Sequence, residues 1–211
     1  MKVSFVLYRG VEPIDLAVLG VFSMATRVIP DLRYETVAAT LAPVTCSNGL
    51  RVLPDRTFDE VSDVDVLMIP GGPGWRDAAC DERLLALIRK VHPGATVASI
   101  CTGAMVLAET GLLEGRRATT KKEVVAPERS PLEELQDAHP EVDVVYGRLI
   151  DEGKILTGGG VCLCIDLALH LLEKRYGRAK VAEIERIIEY SAASEANRRR
   201  FSEPMPVRIA S

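Results

Sequence analysis

No apolar run in the sequence reaches the roughly 18 consecutive residues that a bilayer-spanning helix requires, so no membrane span is expected. An excess of positive charge is missing too. The formal charge is −4, which leaves no electrostatic footprint for nucleic acid. There is no C-x-x-C motif. The five cysteines, Cys46, Cys80, Cys101, Cys162 and Cys164, are odd in number and follow no disulfide-framework spacing. Such usage suits a reducing compartment. Cys162-x-Cys164 is a weak metal signal, and the three histidines, His92, His139 and His170, stand apart without ligand spacing. No zinc site is expected. Internal repeats, low-complexity segments and a dividing linker are also absent. The first apolar segment, Val3 to Tyr8, is too short for a secretory signal and reads as a strand, so the expected location is the cytoplasm.

What is present is an ordinary globular composition. The 211 residues are 47% hydrophobic and 27% charged, enough for one domain with a sizeable core. Val3 to Tyr8 is almost all apolar, as a strand buried on both faces of a parallel sheet would be, Thr96 to Ile100 reads as a buried strand, and Tyr34 to Thr40 and Val64 to Ile69 read as further strands. Between them lie helical segments, Ile14 to Val28 and Glu82 to Val91. Val44 to Leu53 reads as a hairpin turning at Ser47-Asn48-Gly49. Arg117 to Thr119 is a short strand. Ser130-Pro131 opens a helix through Asp137, with Ser130 as N-cap and Glu133 at the capping-box position. Val142 to Tyr146, Arg148 to Asp151 and Lys154 to Thr157 read as strands, the last two joined across Glu152-Gly153. Cys162 to Tyr176 is a helix apolar nearly all round, to be buried in the core or at a subunit interface. Lys180 to Tyr190 is a final helix. A domain over residues 1–193 and a polar, loose or partner-bound tail over 194–211 are expected, with Arg198-Arg199-Arg200 as a solvated face. Strands alternating with helices give a parallel α/β sandwich, in which ligands bind at the carboxyl ends of the strands.

One stretch organises the rest. Thr96 to Ile100 is a strand, Gly103 to Thr110 is a helix, and Cys101 sits at the corner between them. Ser99 and Gly103 flank it at two residues' distance on either side. Small neighbours permit the sharp strand-to-helix turn of a nucleophile elbow. A thiol at a helix N-terminus meets free N–H groups and the positive end of the helix dipole, so its pKa is expected to fall towards or below neutrality.

Three features can join Cys101. The loop Gly71-Gly72-Pro73-Gly74 follows a strand, and its glycines let backbone N–H groups approach a ligand, as an oxyanion hole requires. Asp15 begins the first helix and can accept a hydrogen bond from the thiol or move a proton. Thr102 follows the cysteine; its backbone N–H is the natural second oxyanion donor and its hydroxyl can hydrogen-bond a substrate. No histidine lies next to Cys101 in sequence. That argues against hydrolysis needing imidazole to protonate a leaving amine, and for a thiolate adding to an electrophile without a difficult leaving group.

These residues resemble the ThiJ/PfpI superfamily from Val3 to about Tyr190. The markers are Gly10-Val-Glu-Pro-Ile-Asp15-Leu, Ile69-Pro-Gly-Gly-Pro-Gly74, Ser99-Ile-Cys-Thr-Gly103, Gly111-Leu-Leu-Glu-Gly-Arg-Arg-Ala-Thr-Thr120, and Thr157-Gly-Gly-Gly-Val161 followed by Ile165-Asp-Leu-Ala-Leu-His170-Leu. The resemblance implies a class I glutamine amidotransferase-like fold, here a flavodoxin-like three-layer sandwich with a mainly parallel central sheet and a cysteine nucleophile elbow. Within the superfamily the pattern looks like the isonitrile hydratase branch and the related domains of some AraC-type regulators. That implies Cys101 as nucleophile, Asp15 as its acidic partner and Thr102 beside them, with Gly71 and Gly72 binding substrate. The implied reaction adds water to an isonitrile through a thioimidate and releases an N-substituted formamide, without cofactor or metal. The alternatives are a cysteine-oxidation or ligand sensor and a glyoxalase or amide hydrolase. A homodimer acting on a small molecule, without nucleic acid or membrane, is expected. The chain departs from the hydratase branch after Ala118-Thr-Thr120. Lys121-Lys122 stand where the branch carries His then Trp, which is expected to remove a wall of the substrate pocket or to change its charge. Cys162 and Cys164 stand where small or polar residues are usual.

Overall fold

The computed structural model describes residues 1–206; residues 207–211 lie outside the described part. A seven-stranded sheet forms the centre, in the order β10-β11-β7-β6-β1-β2-β5. Its strands are β1 (Lys2–Val6), β2 (Arg33–Ala38), β5 (Arg56–Thr57), β6 (Val66–Ile69), β7 (Thr96–Ser99), β10 (Leu149–Asp151) and β11 (Ile155–Gly158). All neighbours are parallel except β10, which returns antiparallel on β11 across Glu152-Gly153. The hairpin read from Asn48-Gly49 is present as β3 (Val44–Thr45) and β4 (Arg51–Val52), with Gly49 at φ +89°.

Alternation along the strands fills two cores. Leu67 and Ile69 of β6 face one side, where α3 (Glu82–Val91), α4 (Gly103–Ala108) and α5 (Pro131–Ala138) cover them. Val66 and Met68 face the other, under α1 (Ala17–Ala25), α6 (Leu163–Tyr176) and α7 (Arg178–Ile187). The result is the expected three-layer α/β sandwich. α3 shows why the local sequence succeeds. Asp81 caps it by accepting from the N–H groups of Arg83 and Leu84, Arg89 and Lys90 end it, and Leu84, Leu85 and Ile88 form its buried stripe. Among the described residues no helix is long and apolar enough to cross a membrane.

Several elements differ from the reading of the sequence. The helix expected over Ile14 to Val28 is a 3₁₀ turn, Pro13–Leu16, followed by the shorter α1. The short helix α2 (Trp75–Ala79) fills the segment after the glycine loop, where no element was expected. Ser130 does not cap α5. Its hydroxyl donates to the Lys122 carbonyl at 3.3 Å, so the capping box does not form. β8 (Arg117–Ala118) and β9 (Asp143–Tyr146) leave the central sheet and pair with each other.

The tail from Ser194, expected to be loose or partner-bound, folds back on the domain itself as α8 (Ser191–Arg200) and β12 (Met205–Pro206), the latter paired antiparallel with β9. Polar pairing explains this. Ser194 is buried and donates to Glu185 at 2.8 Å; Arg198 meets the same carboxylate at 2.8 Å. Asn197 and Tyr190 both donate to Asp166, which α6 buries against Arg148. Arg198 is therefore the partner of a buried carboxylate, whereas Arg199 and Arg200 are exposed as the solvated-face reading expects.

Candidate active site

The register of the central strands assembles the site. Ile69 of β6 pairs with Ser99 of β7, and Ser99 with Thr157 of β11, so three loops leave the sheet side by side. They are Pro70–Gly74, Ile100–Thr102 and Gly159–Val161. Cys101 takes φ +54°, a left-handed conformation that costs a non-glycine residue about 1–3 kcal/mol. The turn is held on every side. Its N–H donates to the Gly159 carbonyl at 3.3 Å and its carbonyl accepts from the buried Thr120 hydroxyl at 2.6 Å. Gly103 follows because a Cβ there would lie 2.3 Å from the Ile69 carbonyl oxygen.

Asp15 comes from the 3₁₀ turn and is fully buried. Its Oδ2 accepts the Gly71 N–H at 2.8 Å, while its Oδ1 finds no partner among the described residues. Gly71 in turn lies against the elbow: a Cβ on it would stand 2.7 Å from the Cys101 Cβ. Burial pushes the Asp15 carboxyl up to about 7, opposed by the Gly71 N–H and reinforced by Glu12. The Tyr8 hydroxyl donates to the Pro70 carbonyl at 2.8 Å, and burial, with Asp15 next, raises it well above the usual tyrosine value.

The thiol is not depressed as its helix-start position suggests. Burial pushes Cys101 up to about 12 and the Asp15 carboxylate adds to this; the N–H groups of Thr102 and Val161 and the Lys121 ammonium pull the other way. The physical reason is that α4 is only six residues long and Cys101 is almost wholly buried. Two anions side by side in so buried a place are disfavoured, so the Cys101–Asp15 pair retains a proton between them.

All five residues singled out in the sequence meet here, but the glycines do not serve as expected. The Gly71 N–H is held by Asp15, and the Gly72 N–H donates to the Thr102 hydroxyl at 2.9 Å. Neither is free to form an oxyanion hole. The Thr102 hydroxyl is thereby occupied with the loop, and the Thr102 N–H points at the sulfur. The second N–H at the sulfur belongs to Val161, which sequence reading missed. Val161 takes φ +57°, an outlier for a β-branched residue. Gly160 before it lets the loop close, since a Cβ on it would lie 2.8 Å from the Cys101 Sγ. The signal was visible: Gly158-Gly159-Gly160 ends a strand and precedes a helix, much as the Gly71-Gly72 loop lies between β6 and α2.

The sulfur lies at the floor of an open cleft of about 650 Å³, walled by Ile14, Trp75, Val124, Pro131 and Val161 together with the charged residues Glu12, Arg76, Lys121, Glu128, Arg129 and Glu134. No histidine lines it. His139 sits between Glu109 and Glu141, and His170 bonds Asp151 at 2.8 Å. Among the described residues no group of three His, Cys, Asp or Glu side chains is arranged to hold a metal ion.

A sequence profile of the DJ-1/PfpI family matches residues 1–174. The chain belongs to the DJ-1/PfpI family. It is similar to the isonitrile hydratase of Pseudomonas putida, 33% identical over 196 residues, covering 92% of this chain and 80% of that one. It is also 29% identical over 160 residues to the HTH-type transcriptional regulator GbdR of Pseudomonas aeruginosa, covering 75% of this chain. The match spans only 41% of that regulator's length. Among solved structures, a ThiJ/PfpI family protein from Pseudomonas syringae superposes with a TM-score of 0.77 at 25% identity, over 90% of this chain and 75% of the other. The family thus joins enzymes and regulators on one fold, and the geometry at Cys101 has to be read for itself.

Proposed function

We propose that this DJ-1/PfpI protein is a cysteine-dependent isonitrile hydratase. The observation that carries the reading is the buried Asp15 carboxyl, with one oxygen fixed by Gly71 and the other unpartnered beside a left-handed Cys101, in a cleft without imidazole. An isonitrile has no leaving group, so no acid for a departing amine is needed. Asp15 takes the thiol proton as sulfur forms its bond to the terminal carbon, and returns it to that carbon. The product is a thioimidate, S–CH=N–R. Water adds to the same carbon, nitrogen takes a proton, and the C–S bond breaks to release the N-substituted formamide and the thiol. The sum is one isonitrile and one water giving one formamide. Trp75, Ile14 and Val124 suit an apolar substituent on nitrogen.

The similarity to the P. putida hydratase supports this reading. A protein in the reducing cytoplasm suits the five free cysteines, and a homodimer without nucleic acid is part of the same proposal. The test is formamide production from cyclohexyl isocyanide. Product from the wild-type protein and none from Cys101→Ala is expected; equal product from both rules the reading out.

A further inference from the structure

Beside the active cleft lies a second cavity of about 350 Å³. Lys121 and Val161 line both, so the two spaces share a wall. The smaller one carries three cationic side chains, Lys121, Lys122 and Arg200, and one anionic side chain, Glu123. Glu123 is already engaged: it meets Arg200 at 3.3 Å and accepts from the Tyr146 hydroxyl at 3.1 Å. Lys121 donates to the Glu123 carbonyl at 2.6 Å.

Lys122 is the anomaly. Only 9% of it is exposed, and among the described residues its ammonium makes one hydrogen bond, to the Thr120 carbonyl at 3.1 Å, and no ion pair. An ammonium has three donors, and burying one with two unused is costly. The rings of Tyr146 and Phe201, 5.7 and 5.5 Å from Nζ, offset part of that cost. Phe201 is supplied by the segment that follows α8, so the folded-back tail roofs this cavity. Burial accordingly lowers the Lys122 pKa to about 8, with Glu123 opposing.

The position of Lys122 relative to Cys101 is fixed by two consecutive glycines. A Cβ on Gly159 would lie 2.7 Å from the Lys122 Nζ, and one on Gly160 would lie 2.8 Å from the Cys101 Sγ. The ammonium and the thiol therefore stand against neighbouring residues of one turn, Lys122 lining the smaller cavity and Cys101 the larger.

We propose that the second cavity is an anion subsite in which Lys122 holds the carboxylate of a small molecule whose other end reaches Cys101. A carboxylate fits better than a dianion. It matches one ammonium with two unused donors, and the Glu123 carboxylate in the wall opposes a second negative charge. The proposal rests on the Cys101 cleft being the ligand site, and not on isonitrile hydration.

The test is equilibrium binding to the full chain at pH 6.5, followed by the fluorescence of Trp75, the only tryptophan, which lines the main cleft. The probes are straight-chain monocarboxylates from acetate to hexanoate and their primary amides. Carboxylates are expected to bind about tenfold or more tighter than the matching amides, as a charge-assisted pair implies. Lys122→Met should erase that preference and Lys122→Arg should keep most of it. Equal binding of acids and amides by the wild type, or a preference that survives in Lys122→Met, overturns the subsite. Inorganic phosphate binding more tightly than every carboxylate overturns the carboxylate assignment. If Lys122→Met does not fold, the wild-type comparison and Lys122→Arg still decide. Because binding alone is measured, a protein that turns over no isonitrile can still show the subsite, and the two failures stay distinguishable.

Discussion

The Gly71 N–H donates to Asp15 at 2.8 Å while Gly71 itself rests against the Cys101 elbow, so one glycine couples the buried acid to the cysteine. Three residues distant in sequence form one chemical unit, and most consequences of the structure run through it.

Asp15→Asn separates charge from shape. The amide oxygen can still accept from Gly71, but the buried charge is gone. In the folded state the Asp15 pKa stands at about 7 against an ordinary 3.8. The folded protein thus holds a proton that the unfolded chain has lost. Stability therefore falls as pH rises from about 4 to 7 and is flat above, a loss of a few kcal/mol at most. Asp15→Asn should remove this slope and be more stable than wild type at pH 8 by about 1–3 kcal/mol. Urea titrations at several pH values measure it, and a slope unchanged in the variant contradicts the assignment.

The same substitution should make the thiol easier to ionise and the enzyme worse. Asp15 raises Cys101, so its neutral replacement brings the thiol pKa down. Alkylation of Cys101 by iodoacetamide at pH 8 should quicken, while isonitrile turnover falls at least about a hundredfold for want of the proton carrier. Turnover that rises together with alkylation would mean Asp15 moves no proton.

Gly160→Ala tests the loop that sequence reading overlooked. Its methyl would meet the Cys101 sulfur at 2.8 Å and the Lys121 Cβ at 2.9 Å. The N–H of Val161 is then displaced from the sulfur. We expect a folded protein with turnover reduced about tenfold or more and a raised thiol pKa. Unchanged kinetics would show that the loop is a bystander.

The folded-back tail is stabilising through Glu185, whose carboxylate meets Arg178 at 2.6 Å, Arg198 at 2.8 Å and the Ser194 hydroxyl at 2.8 Å. Desolvation opposes these partners, but together they hold its pKa below the ordinary value. Its contribution is present above the unfolded carboxylate range and is lost as pH falls through the folded value. Glu185→Ala leaves the half-exposed Arg178 and Arg198 and the buried Ser194 hydroxyl without their shared partner, and should cost about 1–2 kcal/mol at pH 7. Chemical denaturation of the variant measures this, and a cost near zero would return the tail to a loose end.

The sandwich was legible because its strands are short apolar runs separated by capped helices, and Glu82 to Val91 is recovered to the residue. The elbow was legible because Cys101 lies between Ser99 and Gly103. Three things were not. The thiol's environment depends on burial from loops far apart in sequence, and the helix-start rule pointed the wrong way. The fate of the Gly71 and Gly72 N–H groups depends on Asp15 and Thr102 reaching them, which no spacing reveals. The tail looked polar and loose because its partners, Glu185, Asp166 and Glu173, lie on earlier helices. Lys121-Lys122 stood out as a departure from the hydratase branch. Only the structure separates them, with Lys121 at the cleft edge and Lys122 buried.

The central claim is that Cys101 adds to the isonitrile carbon. The most direct measurement is rapid-quench intact mass of the wild-type protein with cyclohexyl isocyanide, with peptide mapping and parallel assay of the formamide. An adduct heavier by one isonitrile, confined to the Cys101 peptide and absent from Cys101→Ala, is expected, with formamide from the wild type alone. Formamide produced by Cys101→Ala at the wild-type rate, or an adduct on another cysteine with Cys101 unmodified, would contradict it.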